Sequence, residues 1–376
     1  MSEHDKEIGG PEPVYDKIVE GYEVFEHEAE FACQLGGSLP GFRIAYETWG
    51  ELNDDRSNAV LIHTGLSASS HARSHAKNER PGWWEKFIGP GCPLDTDRFF
   101  FTCSNLLGGC YGSTGPSSPA ADGKPWGPRF PFLTVQDMVV AQFLLLDHLG
   151  IDRLHASVGA SLGGMQSLQA AALEPERVGR VVSISAAATS HAQSIAMRHV
   201  QRSALLADPA WNGGDYYDGP FPHAGMKVAR EIGTITYRSG PEWNDRFGRK
   251  RVEGSEPGFG LHFQVESYLD HQGEKFCLQY DPNSYLAISR AMDLFDLGEG
   301  HGGLEAGVAR IQCPSLVIGV RSDILFPYWQ QRQLADLLEL GGADTTYLEI
   351  DAPYGHDTFL IELEAVGEPV RRFLQG

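Results

Sequence analysis

Val158-Gly-Ala-Ser161-Leu-Gly-Gly-Met-Gln-Ser-Leu-Gln-Ala-Ala-Ala172 reads as the end of a strand, a tight turn carrying one serine, and the start of a helix. Gly159, Ser161 and Gly163 form the Gly-x-Ser-x-Gly pattern of a nucleophile elbow. In such a turn the hydroxyl is lifted above the sheet, and the flanking glycines keep side chains out of its way. In a chain with 44 glycines the pattern alone is weak, so its context decides. Leu154 to Val158 has the length of a buried strand, and Met165 to Leu173 is rich in helix formers before Pro175 stops it.

Working outward, the strand-helix alternation repeats. Ala59 to His63 and Arg98 to Cys103 read as buried strands, Thr134 to Leu149 as a helix capped by Thr134 and ended by Gly150, and Val178 to Ile184 as a further strand. Phe31 to Leu35 and Phe42 to Thr48 read as an antiparallel pair at the sheet edge, joined by the Gly36-Gly37 turn. From about Ser190 to Gly303 helical stretches rich in Arg, His and aromatics replace the strands. The alternation then resumes with a strand at Ser315 to Val320, a helix near Tyr328 to Leu340 and a last strand at Thr345 to Ile350. This order predicts an α/β fold with a mostly parallel, doubly covered sheet. The core is expected to be residues 1–189 and 304–376, with 1–12 a disordered lead, and 190–303 a helical lid inserted into it.

The composition, 41% hydrophobic and 21% charged over 376 residues, is that of a globular chain long enough to bury about three quarters of its unfolded surface. A formal net charge of -20 argues against nucleic acid or an anionic membrane as partner and points to a small-molecule site. The six cysteines include no Cys-x-x-Cys pair, which suits reduced thiols in a cytosol. Met1 to Gly10 is charged and without an apolar core, and no run approaches the length of a membrane span. A cytoplasmic location is expected.

Three residues fall at the ends of predicted core strands in the order Ser161, Asp323, His356, the chain order of an α/β-hydrolase triad. A serine hydroxyl is a weak nucleophile until a base takes its proton. His356 is placed to do so, with Asp323 fixing its tautomer and stabilising the imidazolium. The backbone N–H groups of Leu162 and, from the loop after Ala59–His63, Leu66 are the candidate oxyanion donors. Each residue also has an ordinary reading: a packed serine, a helix-capping aspartate, one of 14 histidines. Their joint placement carries the assignment. His71 and His75 have the spacing of a zinc helix pair, but Ala72 stands where a metalloprotease needs its glutamate, so no metal is expected.

Gly82-Trp83-Trp84, Ile88-Gly89-Pro90-Gly91, Asp95-Thr96-Asp97-Arg98, the run from Gly108 to Ser118 and Gly163-Gly164-Met165-Gln166 closely resemble the homoserine O-acetyltransferase family, and the resemblance extends from about Phe42 to the end. It implies an α/β-hydrolase fold with a helical lid, a homodimer, and two-step acyl transfer from an acyl-CoA to a small hydroxy amino acid. Acetyl-CoA is a co-substrate there and no cofactor is implied. On matching positions Ser161 is the acylated nucleophile, His356 the base and acid, and Asp323 the orienting carboxylate. Arg230 and Asp357 match the positions that hold the amino acid's carboxylate and ammonium; a surface ion pair is the ordinary reading of both.

The chain departs from the family pattern in the loop after the early strand. Homoserine acetylators carry Leu-Thr-Gly-Asp-Ser-His there, and this chain has Leu66-Ser67-Ala68-Ser69-Ser70-His71. Ile235-Thr-Tyr-Arg-Ser239 and Asp270-His-Gln-Gly-Glu-Lys-Phe-Cys277 resemble the branch that acylates L-serine. The resemblance thus implies L-serine as acceptor, with Ala68, Ser69, Ser70 and His71 setting that choice and O-acetyl-L-serine as product. Leu325, where succinyl-using homoserine enzymes place an arginine, favours acetyl; Arg198, at a position that serine succinylators fill with arginine, keeps succinyl open. L-Homoserine acetylation, L-serine succinylation, plain ester hydrolysis and a non-catalytic scaffold are the alternatives.

Overall fold

The computed structural model describes residues 19–376, in which eight strands form one sheet. They are β1 (Glu23–His27), β2 (Phe42–Trp49), β3 (Ala59–His63), β4 (Phe100–Ser104), β5 (Ala156–Ala160), β6 (Val181–Ile184), β7 (Ser315–Val320) and β8 (Thr345–Ile350). Their spatial order is β1-β2-β4-β3-β5-β6-β7-β8. Neighbours from β4 to β8 run parallel, while β1 with β2 and β2 with β4 are antiparallel. Every residue of β3 to β7 is buried, because helices and loops cover both faces; these strands accordingly show no in–out alternation, and their few polar side chains, such as Thr102, Ser157 and Ser183, are buried too.

One face is covered by α1 (Val135–His148), α2 (Leu162–Leu173) and α8 (Tyr328–Leu340), the other by α9 (Glu368–Gln375) and the loop from Trp84 to Leu94. Thr134 opens α1 with a reciprocal capping box, its backbone N–H donating to the Asp137 carboxylate at 2.8 Å. Between β6 and β7 the chain forms α3 (Ala192–Leu206), α4 (His223–Thr236), α5 (Gly240–Arg246), α6 (Gln264–Cys277) and α7 (Pro282–Asp293). Here α4 packs against both α3 and α6. No described helix is long and apolar enough to cross a membrane.

The edge of the sheet differs from the sequence expectation. The partner of β2 is β1, and Phe31–Ala32 instead pairs with Ser38–Leu39 in a separate two-stranded ladder around the Gly36-Gly37 turn. The turn closes the nearer hairpin, yet Phe31 still packs edge-on against Phe42, so the apolar contact survives without the pairing. Strand β5 runs to Ala160 rather than ending at Val158, which brings it directly to the elbow. The expected disordered lead, 1–12, lies outside the described residues.

Candidate active site

With β5 ending at Ala160 and α2 starting at Leu162, Ser161 alone makes the turn. Its φ of 57° and ψ of -126° are strained for an L residue, a cost of about 1–3 kcal/mol that the surroundings must offset. Its N–H donates to Ile184 O at 2.9 Å and its carbonyl accepts from Met165 N at 3.1 Å. The glycines are there for close approach. A Cβ at Gly159 would lie 2.1 Å from Gly163 O, and one at Gly163 would lie 2.4 Å from His63 O. Any side chain at either position would push β5, α2 and β3 apart.

Asp323 follows β7 and His356 follows β8. Asp323 Oδ1 accepts the N–H groups of Leu325 and Phe326 at 2.8 and 2.9 Å, and Oδ2 lies 2.7 Å from His356 Nδ1. Donation of Nδ1–H to that carboxylate leaves Nε2 as the basic nitrogen. The ring is buried, stacked on Phe326 and met edge-on by Phe359. Ser161 and His356 line one cavity of about 320 Å³. Among the described residues the Ser161 hydroxyl makes no hydrogen bond, an open arrangement common before substrate is bound.

Burial opposes charge on His356, but the charge and hydrogen bond of Asp323, with the charge of Asp357, outweigh it and raise its pKa above 6.5. A base works only when neutral. The raised pKa therefore moves the acid limb of activity upward, and transfer should be lost as pH falls through a midpoint above the ordinary histidine value. A kcat/KM profile that stays flat between about pH 5 and 8 speaks against His356 as the base.

Leu162 opens α2, so its N–H has no intrahelical acceptor. Leu66 lines the cavity from the loop after β3, where Tyr280 OH donates to its carbonyl at 2.7 Å and Gln166 Nε2 donates to Thr64 O at 3.0 Å. Arg230 also lines the cavity, with its guanidinium over the rings of Phe276 and Tyr237 and its Nε buried and unbonded. It has no carboxylate partner among the described residues, so the ordinary ion-pair reading fails for it. Asp357 lines the same cavity and lies 3.4 Å from Arg238 Nη2. Burial raises its pKa, with Arg238, His356 and Arg230 working the other way.

The structure separates the four loop residues read as acceptor-selecting. Ala68 lines the cavity; the Ser69 carbonyl accepts from Trp83 Nε1 at 2.9 Å; Ser70 and His71 are buried and turned to Glu47. Leu325 and Arg198 are buried without lining the cavity, Leu325 beside Asp323 and Arg198 against Asp293. His71 and His75 lie in a loop, not on a helix. Trp83 reaches the cavity, as do Thr234, Tyr237, Arg238, Tyr268 and Gln272, none of which the sequence reading placed in the site. Part of the signal is spacing: Arg230 and Thr234 on α4, and likewise Tyr268 and Gln272 on α6, lie four residues apart on one helical face, whereas Tyr237 and Arg238 follow the end of α4 and have no periodic signal.

A largely parallel sheet with a serine elbow, and an aspartate-bound histidine brought to it from two later strands, defines an α/β-hydrolase-fold protein. The family model for the alpha/beta hydrolase fold matches residues 58–363. The serine O-succinyltransferase of Schizosaccharomyces pombe is 50% identical over 97% of this chain and 86% of its own length. The homoserine O-acetyltransferase of Thermobifida fusca is 48% identical over 91% of this chain and 90% of its own. Among solved structures, esterase E22 matches with a TM-score of 0.87 at 29% identity, over 95% of this chain and 100% of that one. The chain belongs to the serine and homoserine O-acyltransferase family of α/β hydrolases and is an O-acyltransferase of that type.

Proposed function

We propose that this protein, acting as a homodimer, moves an acyl group from acyl-CoA to the side-chain hydroxyl of L-serine through an acyl-Ser161 intermediate. His356 Nε2 takes the Ser161 proton as Oγ attacks the thioester carbonyl, the oxyanion is held by the N–H groups of Leu66 and Leu162, and CoA leaves as the thiol with that proton. The hydroxyl of L-serine then gives its proton to His356 and attacks the acyl-enzyme. O-acylserine departs and Ser161 regains its proton. The single observation that carries this reading is the His356–Asp323 pair sharing with Ser161 a cavity that also holds Arg230, which has no carboxylate partner among the described residues. Arg230 and Asp357 offer a cation and an anion to a zwitterionic acceptor, which water cannot use, and this favours transfer over the hydrolysis that the same triad supports.

For the donor we propose succinyl-CoA, although Leu325 favoured acetyl. Arg198 and Arg202 are both buried and share Asp293: Arg198 Nε lies 2.6 Å from Oδ1 and its Nη2 2.9 Å from Ser190 Oγ, while Arg202 bonds Oδ2. Two buried guanidinium groups on one carboxylate leave positive charge uncompensated, and Arg198 Nη1 is buried with no partner among the described residues. The Arg198 charge is felt at Tyr237, on the cavity wall. Arg198 stands behind the cavity wall rather than on it, and we assign the distal carboxylate of a succinyl group, reaching past Tyr237, as the counter-charge for this excess and the acceptor for Nη1. Acetyl transfer, which Leu325 favours, is the second reading.

Assays of L-serine and L-homoserine against succinyl-CoA and acetyl-CoA test this, with the highest kcat/KM expected for L-serine with succinyl-CoA. Arg198→Met should lower succinyl use by about 10- to 100-fold and change acetyl use by less than about threefold, the scale of one charged hydrogen bond. Acetyl-CoA preferred by about tenfold restores the acetyl reading. Since one methylene in a pocket is worth about 1–3 kcal/mol, only the kcat/KM ratio is informative, and homoserine winning by about tenfold overturns serine as acceptor.

A further inference from the structure

The loop that presents Leu66 and Ala68 to the cavity is anchored at its far end by a buried acid. Glu47, in β2, is 2% exposed. Its Oε1 accepts from Ser70 Oγ at 2.7 Å, and its Oε2 lies 2.7 Å from both His71 Nδ1 and His75 Nε2. Asn105 Oδ1 accepts the Ser70 N–H at 2.6 Å. On its other side, His71 Nε2 lies 2.7 Å from Arg80 O. A carboxylate and a carbonyl can only accept, so both ring nitrogens of His71 carry protons and the ring is an imidazolium. His75 differs: its Nδ1 accepts from Lys77 N–H at 3.2 Å, which leaves that ring neutral.

The ligand atoms of Glu47, His71 and His75 also lie within 4.8 Å of one another, the reach of a metal site. However, a metal needs a nitrogen lone pair, and His71 has none to offer while it donates from both sides. Every polar atom of the pair is instead matched within the protein. Removing one member of such a buried pair exposes the other as an uncompensated charge, so the two are energetically one unit.

We infer that Glu47 and the imidazolium of His71 are positioning residues for acyl transfer, holding the loop so that the Leu66 N–H meets the developing oxyanion. This rests on the reading of Ser161 as nucleophile and Leu66 as oxyanion donor. The charged groups facing His71 agree with it. Burial disfavours the cation, but the hydrogen bonds to Glu47 and Arg80 O and the charges of Glu47 and Glu85 outweigh it, and the pKa is raised; His75 meets the ring edge-on. A cation whose pKa is raised on folding contributes fully at low pH and is lost as pH rises through that raised value. The anchor thus supplies an alkaline limb to activity, opposite in sign to the acid limb of His356.

The test uses Glu47→Gln, His71→Asn and the double variant. Each single change should lower kcat by about 10- to 100-fold, with KM for both substrates within about threefold, because the oxyanion contact forms only in the transition state. The double variant should lose no more than the worse single, and Glu47→Gln should move the alkaline limb down while leaving the acid limb in place. Should Glu47→Gln not fold, His71→Asn, which keeps an N–H toward Glu47, carries the same kcat and KM expectations and should abolish the alkaline limb, since the titrating ring is gone. Acyl-Ser161 forming in Glu47→Gln at the wild-type rate overturns the inference, and so does a full equivalent of zinc whose removal abolishes wild-type activity. Absence of acyl-Ser161 in the wild type instead overturns the nucleophile reading beneath it.

Discussion

Replacing Ser161 with alanine should lower acyl transfer by about 10⁴-fold or more while the protein stays folded. The size follows from the site. Ser67 and Thr234 also line the cavity, but only Ser161 stands on the elbow between β5 and α2, where Leu162 N–H opens a helix beside it. Alanine keeps the Cβ that the positive φ already tolerates and removes an oxygen with no hydrogen bond among the described residues, so thermal unfolding should shift little. Residual binding of acyl-CoA and L-serine should survive in the variant, since neither the Arg230 nor the Asp357 contact is touched. Transfer within about tenfold of wild type would mean that Ser161 is a packed elbow residue and nothing more.

Asp323→Asn should be nearly as damaging, at about 10⁴-fold in kcat, for a different reason. An amide oxygen can still accept the Leu325 and Phe326 N–H groups, so the loop after β7 keeps its shape. The amide nitrogen then faces His356 Nδ1 as a donor, which drives the ring proton to Nε2, the atom that must accept from Ser161. The same change removes the charge and hydrogen bond that hold the His356 pKa up, so whatever activity remains should have its acid limb displaced to lower pH. Steady-state rates across pH check both parts. An Asp323→Asn enzyme within about tenfold of wild type, with an unmoved acid limb, would remove Asp323 from the site.

The fold was legible where local chemistry and tertiary structure agree. The elbow at Gly159–Gly163, the fully buried strands of the sheet centre and the Thr134 cap are local signals; the elbow and the cap stand where the sequence put them, and the strands are the expected ones with some ends shifted. The edge was not legible, because 23–27 and 31–35 are both short strand-like segments near β2 and the Gly36-Gly37 turn favours the closer one. The rest of the cavity depends on contacts across the chain. Tyr280 reaches Leu66 over 214 positions, and Arg198 meets Asp293 over 95. Periodicity records that a residue is on an inward face, not which element it meets. Ser70 and His71 show the same limit: proximity in sequence to Ala68 suggested the acceptor pocket, but their side chains turn to an acid 23 and 24 positions earlier.

The most direct measurement mixes the protein with succinyl-CoA and no acceptor. A burst of CoA stoichiometric with chains is expected, together with one succinyl group on the tryptic peptide Leu154–Arg177, which contains Ser161, and added L-serine should clear the modification as O-succinylserine forms. An unmodified Leu154–Arg177 peptide, in a preparation that turns over normally once donor and acceptor are both present, would contradict the acyl-serine account.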